Sequence, residues 1–390
     1  MSCSGAAENQ ATKDWEAGDR PRICLIGLEN LPVLSPSYSR HRIGGEQVQQ
    51  TLLARAFVRR GYRVSMVVAD YGQKDGESFD GVTTYKAFKV SAGVPVVRFI
   101  HPRWTGLWSA LERADADVYY TSCAGMQVGL ICLFCKVHKK RFVFRVASDS
   151  DCEPENLSIK YWRDKYLYEY GLKRAHSVLV QTDRQRKSLS RNYGLHGRQA
   201  GMLVSPPVTT LLFEQRELDL LWVSNICQVK RPDVYLELAK LLPSSSMHMV
   251  GGPMPGFAEL YDKIEGAASL LPNVSFHGQV PYHDSFSYYA RAKLFINTSD
   301  LEGFPNSYLQ SWVHGTPVVA FFDPDGLIAR EGLGRAVGSL SEMAKAISDY
   351  QDRNTWEQAS ARARAYMNRV HGEDMILRPY LEEIHRTVSL

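Results

Sequence analysis

Between Ser299 and Ala320 the chain reads Ser-Asp-Leu-Glu-Gly-Phe-Pro-Asn-Ser-Tyr-Leu-Gln and on to Gly315-Thr316-Pro317. The residue types in it suit one kind of ligand. Pro305 or Asn306 opens a helix, because proline fits the first helical position and asparagine the N-cap. The unpaired N–H groups and positive dipole end of that helix make a seat for a phosphate. Glu302 stands just before the seat, and Gln310 follows roughly 12 Å along. A carboxylate is wasted on phosphate alone. Beside a phosphate seat it suits a ligand that carries hydroxyls next to its phosphates, as a sugar nucleotide does. The plainer reading of the same residues is a βα turn with a solvated glutamate.

Three other places carry related chemistry. Lys230 and Arg231 are adjacent cations after a strand and before a helix, an arrangement that clamps anions. Gly44-Gly45 separates a strand from a helix, so that backbone N–H groups can close on an anion. It is not the dinucleotide G-x-G-x-x-G, and tight packing is the other use for such glycines. Asp149, with Asp151 and Glu153, follows the strand Phe142–Val146, and open α/β sheets place ligand contacts at such strand ends. Asp149 is the candidate acceptor-facing or base-like group, with helix capping as the alternative. Cys132 and Cys135 form a C-x-x-C, but inside an apolar run (Val128–Phe134) that reads as a buried helix with core thiols. The basic cluster Lys136, His138, Lys139, Lys140 and Arg141 reads as a solvated helix end, or as a contact for anionic lipid or a lipid-phosphate acceptor.

The elements that must position these residues alternate strand and helix along the whole chain. Arg22–Gly27, Arg63–Ala69, Val118–Ser122, Phe142–Val146 and Ser177–Gln181 read as strands of a first unit, with Val82–Val97 as a hairpin or edge strand. Asp219–Val223, Met247–Val250, Val274–His277, Lys293–Thr298 and Val318–Phe322 read as strands of a second. Alternation of this kind predicts two parallel, doubly wound sheets, an α/β class. The expected organisation is a disordered tail (1–20), an N-terminal Rossmann-like domain (21–195), a linker (196–216), a C-terminal Rossmann-like domain (217–372) and a last helix (373–390).

With 390 residues, 44% of them apolar and 23% charged, the composition is that of a soluble two-domain globular chain. A net charge of +4 is too small to imply nucleic acid. Seven cysteines without regular spacing suit a reducing compartment. The first twenty residues are polar and no apolar stretch reaches membrane-span length, so a cytoplasmic location is expected, at most attached to a membrane surface.

The stretch around Glu302 resembles the donor-site motif of retaining glycosyltransferases of family 4, a GT-B group that includes many bacterial envelope-polysaccharide enzymes. The family pattern is Glu-Gly-Phe-(Pro or Gly), a second acidic residue eight positions after the first, then Gly-x-Pro-Val. Here Gln310 stands for the second acid, which keeps hydrogen-bonding capacity toward ribose and removes a charge. The family's Gly-Arg-x-x-x-x-Lys becomes Ser224, Asn225 and Lys230, with Arg231 the candidate for the missing guanidinium. Gly278-Gln279-Val280 resembles the base-binding loop, and the family's Gly-Gly faces the donor diphosphate. A histidine usual near Asp149 is missing.

The resemblance implies a GT-B fold, two Rossmann-like domains facing a central cleft, residues 21–195 on the acceptor side and 217–372 binding the nucleotide sugar, with the last helix crossing back onto the first domain. It implies a retaining glycosyltransferase using a nucleotide-diphosphate sugar (UDP or GDP) as co-substrate, with no other cofactor and no bound metal. No Asp-x-Asp stands directly before Glu302, where Asp300 pairs only with Glu302 itself. The acceptor implied is a glycan or a lipid-linked sugar in exopolysaccharide, capsule or lipopolysaccharide assembly. Glu302, Lys230 and Asp149 are the expected catalytic residues. Gly44, Gly45, Ser224, Asn225, Lys230, Arg231, Gln279, Glu302, Gly303, Phe304, Pro305, Asn306 and Gln310 are the expected donor contacts. The alternatives are another GT-B enzyme, such as a sugar-nucleotide epimerase, and a non-catalytic scaffold.

Overall fold

The computed structural model describes residues 20–38, 43–94, 97–207 and 209–388. The tail expected at 1–20 lies, but for Arg20, outside the described residues. In chain order the strands of the first sheet are β1 (Ile23–Ile26), β2 (Val64–Val68), β3 (Ser78–Phe79), β4 (Val82–Lys86), β5 (Val118–Ser122), β6 (Arg141–Arg145), β7 (Ser177–Val180) and β8 (Arg198–Gln199). Those of the second are β9 (Leu218–Val223), β10 (Met247–Val250), β11 (Val274–Phe276), β12 (Ala292–Asn297), β13 (Val318–Ala320) and β14 (Gly334–Ala336). The first sheet runs β3-β4-β2-β1-β5-β6-β7-β8 and the second β11-β10-β9-β12-β13-β14. Every pairing is parallel except β3 with β4.

The central strands are short unbroken apolar runs because helices cover both faces of each sheet. Ile23–Ile26 and Val64–Val68 are buried at every position. Each sheet divides its apolar side chains between two cores. Leu25, Phe57 and Val118 pack on one face of the first sheet, and Ile26, Phe134 and Phe144 on the other. Trp222 and Ile296 against Leu221 and Phe295 make the same division in the second sheet. Parallel strands joined by helices put all the strand C-termini of a sheet on one edge. The candidate residues sit at those edges.

Two local expectations change, and two others hold. The β-like run Val82–Val97 is strand only as far as Lys86; Gly93 (φ +96°) turns the chain, and residues 95–96 lie outside the described set. Part of the stretch expected as linker is β8, paired with β7. Cys132 and Cys135 are buried free thiols in the helix Met126–Val137. The last helix, Glu373–Val388, places Ile376, Leu377, Tyr380 and Ile384 in a core of the first sheet. Glu383 there accepts a hydrogen bond from Ser177 Oγ at 2.6 Å, whereas the preceding helix Arg353–Val370 packs Trp356 and Ala363 into the second domain.

Candidate active site

A cavity of about 580 Å³ lies between the two sheets' C-terminal edges. Two helices begin on it. Gly44 is the extended N-cap of the helix Gly45–Arg59, and Pro305 the N-cap of the helix Asn306–Val313. Neither start is capped by a side chain, so the first N–H groups of both helices remain available. The two starts meet: a Cβ at Gly45 would lie 2.4 Å from Asn306 Nδ2. Gln49 Nε2, one turn into the first helix, donates to Asn306 Oδ1 at 2.6 Å. Two positive helix ends thus converge from separate domains, which favours an anion with more than one phosphate.

Lys230 reaches the same cavity from the second domain, and its Nζ lies 2.6 Å from Glu302 Oε1. Asn297 Nδ2 donates to the same oxygen at 3.4 Å, and the glutamate side chain is 13% exposed. Asn297 closes the strand that leads to the loop, and its Oδ1 accepts from Ser299 N–H at 2.9 Å. The acid, the cation and the loop start are therefore fixed as one unit.

Gly303 passes so close to the first domain that a Cβ there would come within 2.4 Å of the Ala147 carbonyl oxygen. Phe304 N–H donates to Gln181 Oε1 at 3.0 Å, a second bond across the cleft. Asn225 Nδ2 makes a third, to the Ile43 carbonyl at 3.3 Å. Ser224, Gln279 and Pro305 line the wall. So does Gln310, which donates to Tyr282 Oη at 3.5 Å.

Two expected residues are elsewhere. Arg231 has a left-handed backbone (φ +47°, ψ +55°), fixed by Thr298 Oγ1, which donates to the carbonyls of Lys230 and Arg231. That conformation sends its guanidinium away from the cleft to Asp300, 3.1 Å off, on a separate surface hollow. Asp149 is turned inward, 3% exposed, accepting from Gln185 Nε2 at 3.1 Å and paired with Arg184 Nε at 3.2 Å. Burial raises its pKa, with the Gln185 bond and Arg184 opposing. It does not line the cavity.

Sequence reasoning missed Glu46 and Asp151, both of which do. Glu46 follows the glycine pair directly. Both of its carboxylate oxygens accept from Arg145 Nη1 at 3.1 Å, Ser122 Oγ donates to it as well, and Arg145 is 1% exposed. The buried arginine anchors the first turn of the Gly45–Arg59 helix. Nothing local in the sequence ties position 145 to 46, since parallel pairing through β5 creates the contact. Asp151 accepts from the N–H groups of Ala147 and Ser148, and burial pushes its pKa up to about 6. Among the described residues no three His, Cys, Asp or Glu side chains cluster as a metal-binding set.

Residues 44–206 match the family model for a glycosyl transferase 4-like domain, and residues 217–352 that for glycosyl transferases group 1. Among solved structures, a sucrose-phosphate synthase from Thermosynechococcus elongatus superposes with a TM-score of 0.75, covering 95% of this chain and 99% of its own at 16% identity. Anabaena HepE in complex with UDP and glucose gives 0.69, with 94% and 100% coverage at 12% identity. WaaG, a glycosyltransferase involved in lipopolysaccharide biosynthesis, gives 0.65, with 93% and 98% coverage at 13% identity. At these identities the structures establish the shared architecture, and no curated protein matches by sequence. A transferase 4-like domain followed by a group 1 domain across one cleft makes this chain a glycosyltransferase of the GT-B fold.

Proposed function

We propose that the chain moves a sugar, with retention at the anomeric carbon, from a nucleotide-diphosphate sugar to a glycan or lipid-linked acceptor in envelope-polysaccharide assembly. The observation that carries this reading is the convergence of Lys230, the Gly45 helix start and the Asn306 helix start on one cavity. Transfer separates a cationic sugar from an anionic leaving group, and fixed positive charge at the leaving diphosphate lowers that barrier. The neutralising charge is assigned to the chain's own groups. Arg231 drops out of that set because it faces Asp300. Glu302 is assigned to the sugar hydroxyls, sharing Lys230 with the diphosphate, and Gln310 with Tyr282 to the ribose end.

The retaining outcome, the envelope pathway and a UDP or GDP donor are what the resemblance of the motif around Glu302 implies. The bound nucleotides in the HepE structures are consistent with such a donor. A thermal-shift screen with nucleoside diphosphates and their sugars tests the reading, because a ligand that binds only the folded state raises the melting temperature. One base is expected to raise it and its sugar nucleotide to raise it further. No response to any diphosphate would remove the proposal. Anomeric NMR of the product then tests retention.

A further inference from the structure

The first domain carries an apolar face that the donor site does not use. On the helix Trp162–Leu172, Trp162 is 83% exposed and Tyr166, one turn on, is 66% exposed. Beside them, in the segment that follows β4, Val94 is 68% and Ile100 58% exposed. The two segments touch: the Arg163 guanidinium lies 3.7 Å over the Phe99 ring. Apolar side chains this exposed on two touching segments mark an interaction surface.

The charge of the segment after β4 is one-sided. No Asp or Glu occurs between Gly81 and Leu111, while Lys89 and Arg98 stand exposed there. Lys160 lies over the Tyr161 ring and Asp164 pairs with Arg163 at 2.9 Å, while Glu155 and Glu169 flank the aromatic pair. Aromatic rings mixed with free cations match the boundary of an anionic bilayer, where rings sit among headgroups and cations meet phosphates.

From this we infer that the face around Trp162, Tyr166 and Ile100 docks the enzyme on an anionic phospholipid surface. Both segments leave the sheet at strand C-termini, after Lys86 and after Arg145, on the edge that also lines the cavity. Docking there sets the cleft mouth against the bilayer. The basic cluster Lys136–Arg141 takes no part. It precedes β6, at the opposite edge of the sheet, and Lys140 is committed to Asp115 at 3.0 Å. Delivery of a lipid-linked acceptor from the bilayer rests on the proposed function, whereas the docking face does not.

Flotation of the full chain with vesicles tests this without any turnover. The wild type is expected to float with phosphatidylcholine–phosphatidylglycerol vesicles at low salt, to stay down with phosphatidylcholine alone, and to be released by high salt. Trp162→Ala with Tyr166→Ala, and separately Lys89→Glu with Arg98→Glu, are expected to lower the bound fraction at least about tenfold. Lys136→Glu with Lys139→Glu is expected to leave it unchanged. Circular dichroism and thermal unfolding report that each variant is folded. Absence of flotation by the wild type, or equal flotation by the Trp162/Tyr166 variant, would overturn the inference. So would a wild-type dimer that this variant converts to monomer, which would assign the face to a second copy of the chain.

Discussion

Lys230 Nζ sits 2.6 Å from Glu302 Oε1 across the floor of the cleft, so the cation proposed for the leaving diphosphate already holds the acid proposed for the sugar. A donor entering the cavity has to share that ammonium between its phosphates and the carboxylate. In the proposed function both residues thereby act on the bond that breaks.

Lys230→Ala and Glu302→Ala are each expected to lower transfer by at least about 100-fold, the scale of losing one strong charge-stabilising contact. Steady-state turnover with the donor found by screening measures it. Near-wild-type kcat in either folded variant would remove that residue from the chemistry.

The Arg145–Glu46 pair predicts a stability effect. Arg145→Met leaves the Glu46 carboxylate without its buried partner, which costs about 3 kcal/mol in denaturant unfolding. Adding Glu46→Gln is expected to recover part of that loss, because the stranded charge is gone. A double variant no more stable than Arg145→Met would show that the arginine acts through packing alone.

The strand alternation, the Gly-Gly helix start and the Glu302 loop were legible in the sequence because each is a local pattern of apolar period and turn residues. Orientation was not. Arg231 and Lys230 are neighbours with the same charge, and only the left-handed backbone at 231 sends them to different cavities. Asp149 and Asp151 differ by two positions in one short turn, yet 151 lines the cleft and 149 faces Gln185. The Glu46–Arg145 anchor depends on strand order, which no local window contains.

Gly303→Ala tests the close approach of the domains. Its added methyl meets the Ala147 backbone oxygen, which cannot swing aside as a side chain could. Transfer is expected to fall about tenfold or more through misplaced groups, with melting little changed. Unaltered kinetics would mean that the domains do not need this contact in the working state.

The stacked pair His248 and His277, with Nδ1 and Nε2 2.9 Å apart, predicts a pH effect. Burial lowers both pKa values, His277 and Arg291 lower that of His248 further, and Arg291 lowers that of His277. Ser246, Tyr288 and Asp219 complete the surroundings. Because the folded pKa values lie below the unfolded one, the unfolded chain binds more protons on acidification. Stability from the pair is whole above about pH 6.5 and is lost as pH falls through the folded values. His277→Gln is expected to flatten the fall in melting temperature between neutral and mildly acidic pH. An unchanged slope would assign the acid sensitivity to other groups.

A crystal structure with the matching nucleotide-diphosphate sugar tests the central assignment most directly. The diphosphate is expected against the backbone N–H groups at Gly45 and Asn306 and within reach of Lys230 Nζ, with a sugar hydroxyl on Glu302. Density for the diphosphate in the hollow beside Arg231 and Asp300, or a sugar that leaves Glu302 untouched, would contradict it.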